Sequence, residues 1–226
     1  MGEISPSTQD LFSIVKTENK EFTVFPLSAW PCALVKLDVD NEKIIKTCKQ
    51  QPFTLLLEDQ PYLCHNAYIG KNRHILETFP RLKNQIEYAL QNYITKILEV
   101  KAKAKITKSW ATKVTPGGYA NRHSHSNNWI SMCYYPSSYN QKTRITFMRR
   151  HAHVFEAKII TPNLWNSFTY HFTPQDGTLA IWPAQLEHRI DTNTSSEDRY
   201  SIACNALPVG EIGLEDNVIT FHERNI

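Results

Sequence analysis

The chain of 226 residues contains no C-x-x-C pair. Its five cysteines, Cys32, Cys48, Cys64, Cys133 and Cys204, lie far apart, which argues against a thiolate zinc site or a dithiol redox motif. An odd count without tight spacing points instead to free, buried thiols in a reducing compartment. The N-terminus lacks the apolar core of a signal peptide, and no stretch approaches the roughly 20 apolar residues of a membrane span. A cytoplasmic protein without a membrane partner is therefore expected. Internal repeats and low-complexity segments are also missing, as is a concentrated basic patch. With a formal net charge of +3 and interspersed acids and bases, the chain gives no clear nucleic-acid signal. The one basic cluster, Lys101, Lys103, Lys105 and Lys108, mostly alternates with Ala102, Ala104 and Ile106 and reads as the solvated face of a half-buried strand.

What remains is an ordinary globular composition, 41% hydrophobic, sufficient to bury a sizeable core. Residues up to about Glu21 are polar. From Phe22 to Val39 the chain is rich in Val, Leu, Phe and Trp but is interrupted by Pro26 and Pro31, which suits one or two edge strands. Asp40 then caps a short helix with Ile44, Ile45 and Cys48 on one face. Residues 52–79, broken by Pro52 and Pro61, give no clear pattern. Pro80 opens the clearest helix, where Leu82, Ile86, Ala89, Leu90, Tyr93, Ile94, Ile97 and Leu98 recur at helical spacing. Beyond Val100 short strand-like runs take over: Ala102–Val114, Trp129–Tyr135, Arg144–Met148, Val154–Ile160, Ser167–Phe172, Thr178–Trp182 and Arg199–Leu207. Turns at 116–118, 136–138, 161–163 and 175–177 separate them. Helices followed by many short strands predict an antiparallel sandwich or barrel with helices packed outside it.

Nine histidines are unevenly placed. His123 and His125 stand at i and i+2, so on an extended segment both imidazoles project to one side. His188 follows the strand 178–182 and Pro183, and antiparallel pairing brings it opposite that pair. Three nitrogen ligands on one face leave other positions of a metal open, as oxygen-activating iron chemistry requires. The frames are cupin-like: Gly117 precedes the pair as G-x5-H-x-H, and Gly177 and Pro183 precede His188, although Gln185 replaces an expected glycine. Eleven residues after His188 stands Arg199-Tyr200-Ser201. In a strand, Arg199, Ser201, Ala203 and Asn205 share one face, while Tyr200, Ile202 and Cys204 face the core. A buried guanidinium aided by a hydroxyl suits a bidentate carboxylate. The bland alternative pairs Arg199 with Asp198 or Glu197.

From Trp110 to Asn205 the chain resembles the 2-oxoglutarate- and Fe(II)-dependent oxygenases, in particular a family common in phage and bacterial genomes. Trp110, Gly118, Asn121, His123 and His125, Ser131 and Tyr134-Tyr135 follow its first half, and Trp182-Pro183, His188 and Arg199-Tyr200-Ser201-Ile202 its second. The resemblance implies an α+β architecture: a double-stranded β-helix, or jelly roll, with N-terminal helices on its major sheet. A single domain is expected over 1–226, with strands and support helices in 1–100, the β-helix core in 101–210 and an extension in 211–226. It implies Fe(II) held by His123, His188 and His125, and 2-oxoglutarate whose far carboxylate meets Arg199, Ser201 and the hydroxyl of Tyr135. Dioxygen and an unidentified substrate complete the partners, and hydroxylation is the expected reaction. Relatives of this fold often dimerise through their helices, which leaves a homodimer open.

The departure from the family lies at His125, where most relatives carry aspartate or glutamate. Three arrangements are open: an all-histidine site, a site in which His125 stands behind the ligands, or a site for another metal. Two other classes of function remain beside the oxygenase: a cupin-type dioxygenase or isomerase working without 2-oxoglutarate, and a binding module with an empty metal site. Arg199 with Ser201 favours the first class, because a simple cupin needs neither. His151 and His153 form a second i, i+2 pair without a third partner and read as an exposed or substrate-facing strand. His65, His74, His171 and His222 have no frame. Trp129 and Trp165 suit the core or the pocket mouth, and Cys133 a buried hydrophobe.

Overall fold

The computed structural model describes residues 13–18, 20–24, 30–56, 63–138, 144–148, 158–163 and 166–222. The chain divides into two compact units, Met1–Trp30 and Pro31–Ile226. In the first, β1 (Ser13–Lys16) and β2 (Glu21–Val24) pair antiparallel as a hairpin. No helix among the described residues is long and apolar enough to cross a membrane.

The second unit begins with β3 (Ala33–Lys36), an edge strand as the prolines around it require. Helix α1 (Asn41–Lys49) starts where Asp40 accepts a hydrogen bond from the backbone N–H of Lys43, and it buries Ile44 and Cys48. β4 (Phe53–Leu55) and β5 (Cys64–Gly70) follow in the stretch that the sequence leaves unread. Helix α2 (Pro80–Asn92) carries proline in its first turn and buries Leu82, Ile86 and Leu90. A π-helical turn over Tyr93–Ile97 then keeps Tyr93 and Ile94 on the buried side.

The strands after α2 are β6 (Lys103–His123), β7 (Ile130–Tyr135), β8 (Ile145–Met148), β9 (Thr169–Phe172), β10 (Thr178–Pro183), β11 (His188–Ile190), β12 (Arg199–Ile212) and β13 (Ile219–Phe221). They form one 11-stranded sheet with the path β3-β10-β7-β12-β6-β11-β8-β9, to which β4, β5 and β13 attach at the sides. The sheet curls on itself into a double-stranded β-helix, a jelly roll. Strand β6 makes the curl: it pairs with β12 through residues 103–114 and with β11 at Ala120 and His123, so it belongs to both layers.

This continuity corrects the turn expected at 116–118. Gly117 has φ of +75°, and a Cβ at Gly118 would sit 2.5 Å from the carbonyl oxygen of Asn66, so both positions require glycine. The backbone of Asn193 accepts from the N–H of Gly117 and donates to the carbonyl of Gly118, which seals the irregularity into the sheet. Proline and two glycines thus mark the handover of one strand between layers and do not end it. Of the run expected at 154–160, residues 154–157 lie outside the described residues, and 158–160 form no strand.

Alternation along β12 divides the interior. Tyr200, Ile202, Cys204 and Ala206 face a large cluster with Ile130, Met132, Tyr134, Leu179 and Ile181, closed by Leu82, Ile86, Leu90 and Ile94 from the helical segment. The opposite face of the same strands meets a smaller cluster of Cys133, Tyr135, Ile145, Phe147, Ala180 and Trp182 inside the roll. Because Ile86 is wholly buried, Ile86→Ala is expected to lower unfolding stability by about 2–5 kcal/mol, measured by urea denaturation. A loss below about 1 kcal/mol would mean that α2 is not integral to the core.

Candidate functional site

The inner face of the roll presents a row of polar side chains in an otherwise apolar lining. Antiparallel pairing places His123 directly opposite His188. His125 lies just past the end of β6, but its backbone N–H still bonds to the carbonyl of Ala184, which holds it on the same side. The three rings converge, with centroids 4.4 Å apart for His123 and His188, 5.2 Å for His125 and His188, and 5.4 Å for His123 and His125. One ligating atom from each lies within 4.8 Å of the others. Trp182 and Phe147 wall His188 at 5.1 and 6.0 Å, and Trp110 stacks on His125 at 6.2 Å.

Hydrogen bonding prepares these rings as ligands. Nδ1 of His123 lies 2.7 Å from the carbonyl oxygen of Asn121, and Nδ1 of His188 lies 3.0 Å from that of Leu186. A carbonyl can only accept, so each Nδ1 carries the proton and each Nε2 keeps its lone pair. Burial depresses the pKa of His123. It pushes that of His188 well down, with help from the two neighbouring rings. Burial, then the neighbouring His123, lowers His125 to about 4, with the side chain of Asn205 opposing. All three are neutral at physiological pH, the form in which imidazole binds a metal. Nε2 of His125 is buried and has no hydrogen-bond partner among the described residues. Such an atom costs free energy unless something satisfies it. Three neutral imidazoles with open positions fit a divalent iron, nickel or zinc ion.

Farther along β12, Arg199 is 2% exposed, and its Nε and Nη1 have no hydrogen-bond partner among the described residues. No ion pair joins it to Asp198 or Glu197 there; Asp198 instead accepts from the hydroxyl of Tyr200 at 3.3 Å. Ser201 lies two residues on, its hydroxyl 2.5 Å from that of Thr112 on β6. Burial raises the thiol pKa of Cys133, and the neighbouring side chains of Tyr135 and Ser201 and the charge of Arg199 oppose that rise. Burial also holds Tyr135 well above its ordinary range, while the charge of Arg199 pulls it down. Arg199, Ser201, Cys133 and Tyr135 are therefore neighbours. An uncompensated buried guanidinium costs several kcal/mol unless an anion meets it, and a carboxylate matches its geometry.

Six residues that the sequence marks, His123, His125, His188, Arg199, Ser201 and Tyr135, thus line one inner surface in two groups. His65, His74, His171 and His222 are exposed, and Trp129 packs against the large core cluster. His151, His153 and Trp165 lie outside the described residues. Sequence reading passed over Thr112, Cys133 and Trp182 as parts of this lining. Two-residue alternation from Trp110, Ser131 and Tyr135 points to the first two. Trp182, with a buried indole N–H that lacks a partner among the described residues, is marked by alternation from Ala180 and by the family resemblance.

A jelly roll with convergent histidines and a buried guanidinium on one inner face is a cupin-like scaffold carrying a candidate metal centre. Residues 108–205, somewhat under half of the chain, match the model of the family described as "Putative 2OG-Fe(II) oxygenase". The matched stretch is similar to the 2-oxoglutarate- and Fe(II)-dependent oxygenases and holds all six candidate site residues. Solved structures share the fold. A prolyl hydroxylase from Trichoplax adhaerens, in complex with a hypoxia inducible factor peptide fragment, superposes with a TM-score of 0.56 at 11% identity, covering 78% of this chain and 83% of that one. A 2OG-Fe(II) oxygenase family oxidoreductase from Burkholderia pseudomallei gives 0.52 at 10% identity, with coverages of 77% and 83%. HygX from Streptomyces hygroscopicus, solved with nickel and 2-oxoglutarate bound, gives 0.50 at 8% identity, with coverages of 78% and 82%. No curated protein matches by sequence.

Proposed function

We propose that this protein is a 2-oxoglutarate- and Fe(II)-dependent oxygenase, a hydroxylase whose Fe(II) is held by His123, His125 and His188 and whose 2-oxoglutarate is anchored through its far carboxylate by Arg199, Ser201 and the hydroxyl of Tyr135. The observation that carries the reading is Arg199: a buried cation with two nitrogens unpartnered among the described residues, on the inner face that also holds the histidines. When bound, the iron and cosubstrate supply the oxidising power, with 2-oxoglutarate decarboxylated to succinate and one atom of dioxygen delivered to the substrate.

The chain's own residues account for the remainder. Neutral imidazoles with Nδ1 protonated offer lone pairs without rearrangement. Ser201, braced by Thr112, adds a hydroxyl beside the guanidinium. Tyr135 stays protonated and so can donate to a carboxylate. Phe147, Trp182 and Phe172 keep water from this end of the roll. Five free cysteines support a cytoplasmic setting, in keeping with a reducing compartment. The helical segment on the major sheet is where a homodimer would form, read out by light scattering.

Anaerobic titration of the Fe(II)-loaded protein with 2-oxoglutarate tests the reading. A saturable visible charge-transfer band is expected. Bound iron without such a band would instead favour a cupin-type enzyme that needs no cosubstrate, a reading to which the all-histidine donor set lends some support.

A further inference from the structure

The proposed site leaves one donor of the inner face without a task. Trp182 is 2% exposed, and its indole Nε1–H has no hydrogen-bond partner among the described residues. A buried N–H costs free energy until something accepts from it, and buried indoles usually find such a partner. The ring meets those of His188 and Phe147 edge to face, at 5.1 and 5.4 Å. Directly opposite on β7 stands Ser131, whose hydroxyl donates to Oδ1 of Asn205 at 2.9 Å. Among the described residues the indole thus has aromatic neighbours and no acceptor.

The sheet register places open space beside it. Side chains two residues apart on a strand share a face. On β10 the inner residues are Thr178, Ala180 and Trp182, paired in turn with Tyr135, Cys133 and Ser131 of β7. Cys133 pairs onward with Ala203 of β12, so the middle row of this floor carries short side chains. Ala203 is only half-buried, although Ile202 and Cys204 beside it are buried and β6 and β7 flank it. Space therefore lies above it, inside the roll. Tyr135 borders that space at the end where Ser201 and Arg199 lie, because Tyr134 pairs with Ile202. Trp182 borders it at the end of His188. Along β10 the two borders are four residues apart, roughly 13 Å at about 3.3 Å per residue. A short dicarboxylate lying over the middle row meets donors at both ends.

We propose that the indole Nε1–H of Trp182 donates a hydrogen bond to the metal-end carboxylate of bound 2-oxoglutarate, at the opposite end of the molecule from Arg199. The inference rests on the proposed cosubstrate reading. A carboxylate is the acceptor that suits a buried donor, since hydrogen bonds to a charged partner are about twice as strong as neutral ones. Trp182 also shares its sheet with Tyr135 and Arg199, so the three hold one ligand from one side.

The test uses the full-length protein loaded with Zn(II), a diamagnetic ion that does not activate dioxygen. Trp182→Phe removes the N–H and keeps an aromatic ring in the wall. The chain has five tryptophans, and the indole signal lost from a nitrogen-15 spectrum of this variant is that of Trp182. Saturation with 2-oxoglutarate should move that signal downfield in the proton dimension. Calorimetry should show 2-oxoglutarate bound about 10–100-fold more weakly by Trp182→Phe, with Zn(II) affinity unchanged. If 2-oxoglutarate binds without moving the indole signal, or binds the folded variant as tightly as the parent, the inference is overturned and the cosubstrate reading stands. The N–H then faces the ring of Phe147 or His188. If 2-oxoglutarate does not bind the unmodified protein at all, the cosubstrate reading fails and takes the inference with it. Should Trp182→Phe not fold, the Trp182 signal of the unmodified protein, assigned through the backbone, decides alone.

Discussion

Replacing Arg199 with methionine is expected to leave metal binding intact, to weaken 2-oxoglutarate binding by roughly 30-fold to several thousand-fold, and to raise the melting temperature of the ligand-free protein. The binding loss follows from removing one partner of a buried charge pair, which typically costs about 2–5 kcal/mol. The gain in stability has a separate cause. In the ligand-free protein the guanidinium is 2% exposed, with two nitrogens unpartnered among the described residues. Exchanging buried charge for a well-packed apolar side chain of similar volume is often neutral or stabilising, by up to about 4 kcal/mol. A site retained for binding at the expense of the fold shows this opposition of signs. Calorimetric titration with 2-oxoglutarate and a thermal melt on the same protein measure both. Unchanged cosubstrate affinity would remove the carboxylate role from Arg199. Reduced affinity with a strongly lowered melting temperature would mean that the residue serves the structure.

The second large effect is expected at His188. His188→Ala should reduce Fe(II) or Co(II) affinity by far more than the roughly 10–100-fold that follows loss of a supporting hydrogen bond. His188 is 3% exposed, is fixed by the carbonyl of Leu186 and is enclosed by Trp182 and Phe147. Water entering the gap cannot reproduce an oriented imidazole, and the two rings left behind come from a single segment of chain. Equilibrium metal titration followed by inductively coupled plasma analysis of the gel-filtered protein reads the outcome. Stoichiometric metal retained by the variant would exclude His188 as a ligand.

Much of this arrangement is legible in the sequence because periodicity encodes direction. Leu82, Ile86 and Leu90 announce the buried stripe of α2, and Asp40 announces the start of α1. The same rule of two places His123 with His125 and Arg199 with Ser201, and it sends Tyr200 and Ile202 to the helical side, where they are found. The elements that escape reading are those whose information is not local. β11 spans only His188–Ile190, too short to show a pattern, and exists because β6 and β8 flank it. β4 and β5 sit among prolines; β5 is recruited by β6, and β4 by β5. Asn205 is placed on the inner face by alternation, but nothing near it in the chain names Ser131, whose hydroxyl donates to its side-chain oxygen, as its partner. That contact joins residues 74 apart and depends on the pairing of β12 with β7.

The handover within β6 bears on how this protein can be cut and rejoined. Pro116-Gly117-Gly118 has the composition at which one would place a linker, a protease site or new termini, since permutation and insertion succeed at exposed loop tips. Here those residues are a seam. The chain before them is stitched to β12, the chain after them to β11, and Asn193 bonds across the join. A break at this point would put Trp110 and Thr112, which lie against His125 and Ser201, on one piece of protein and the three histidines, Arg199 and Ser201 on the other.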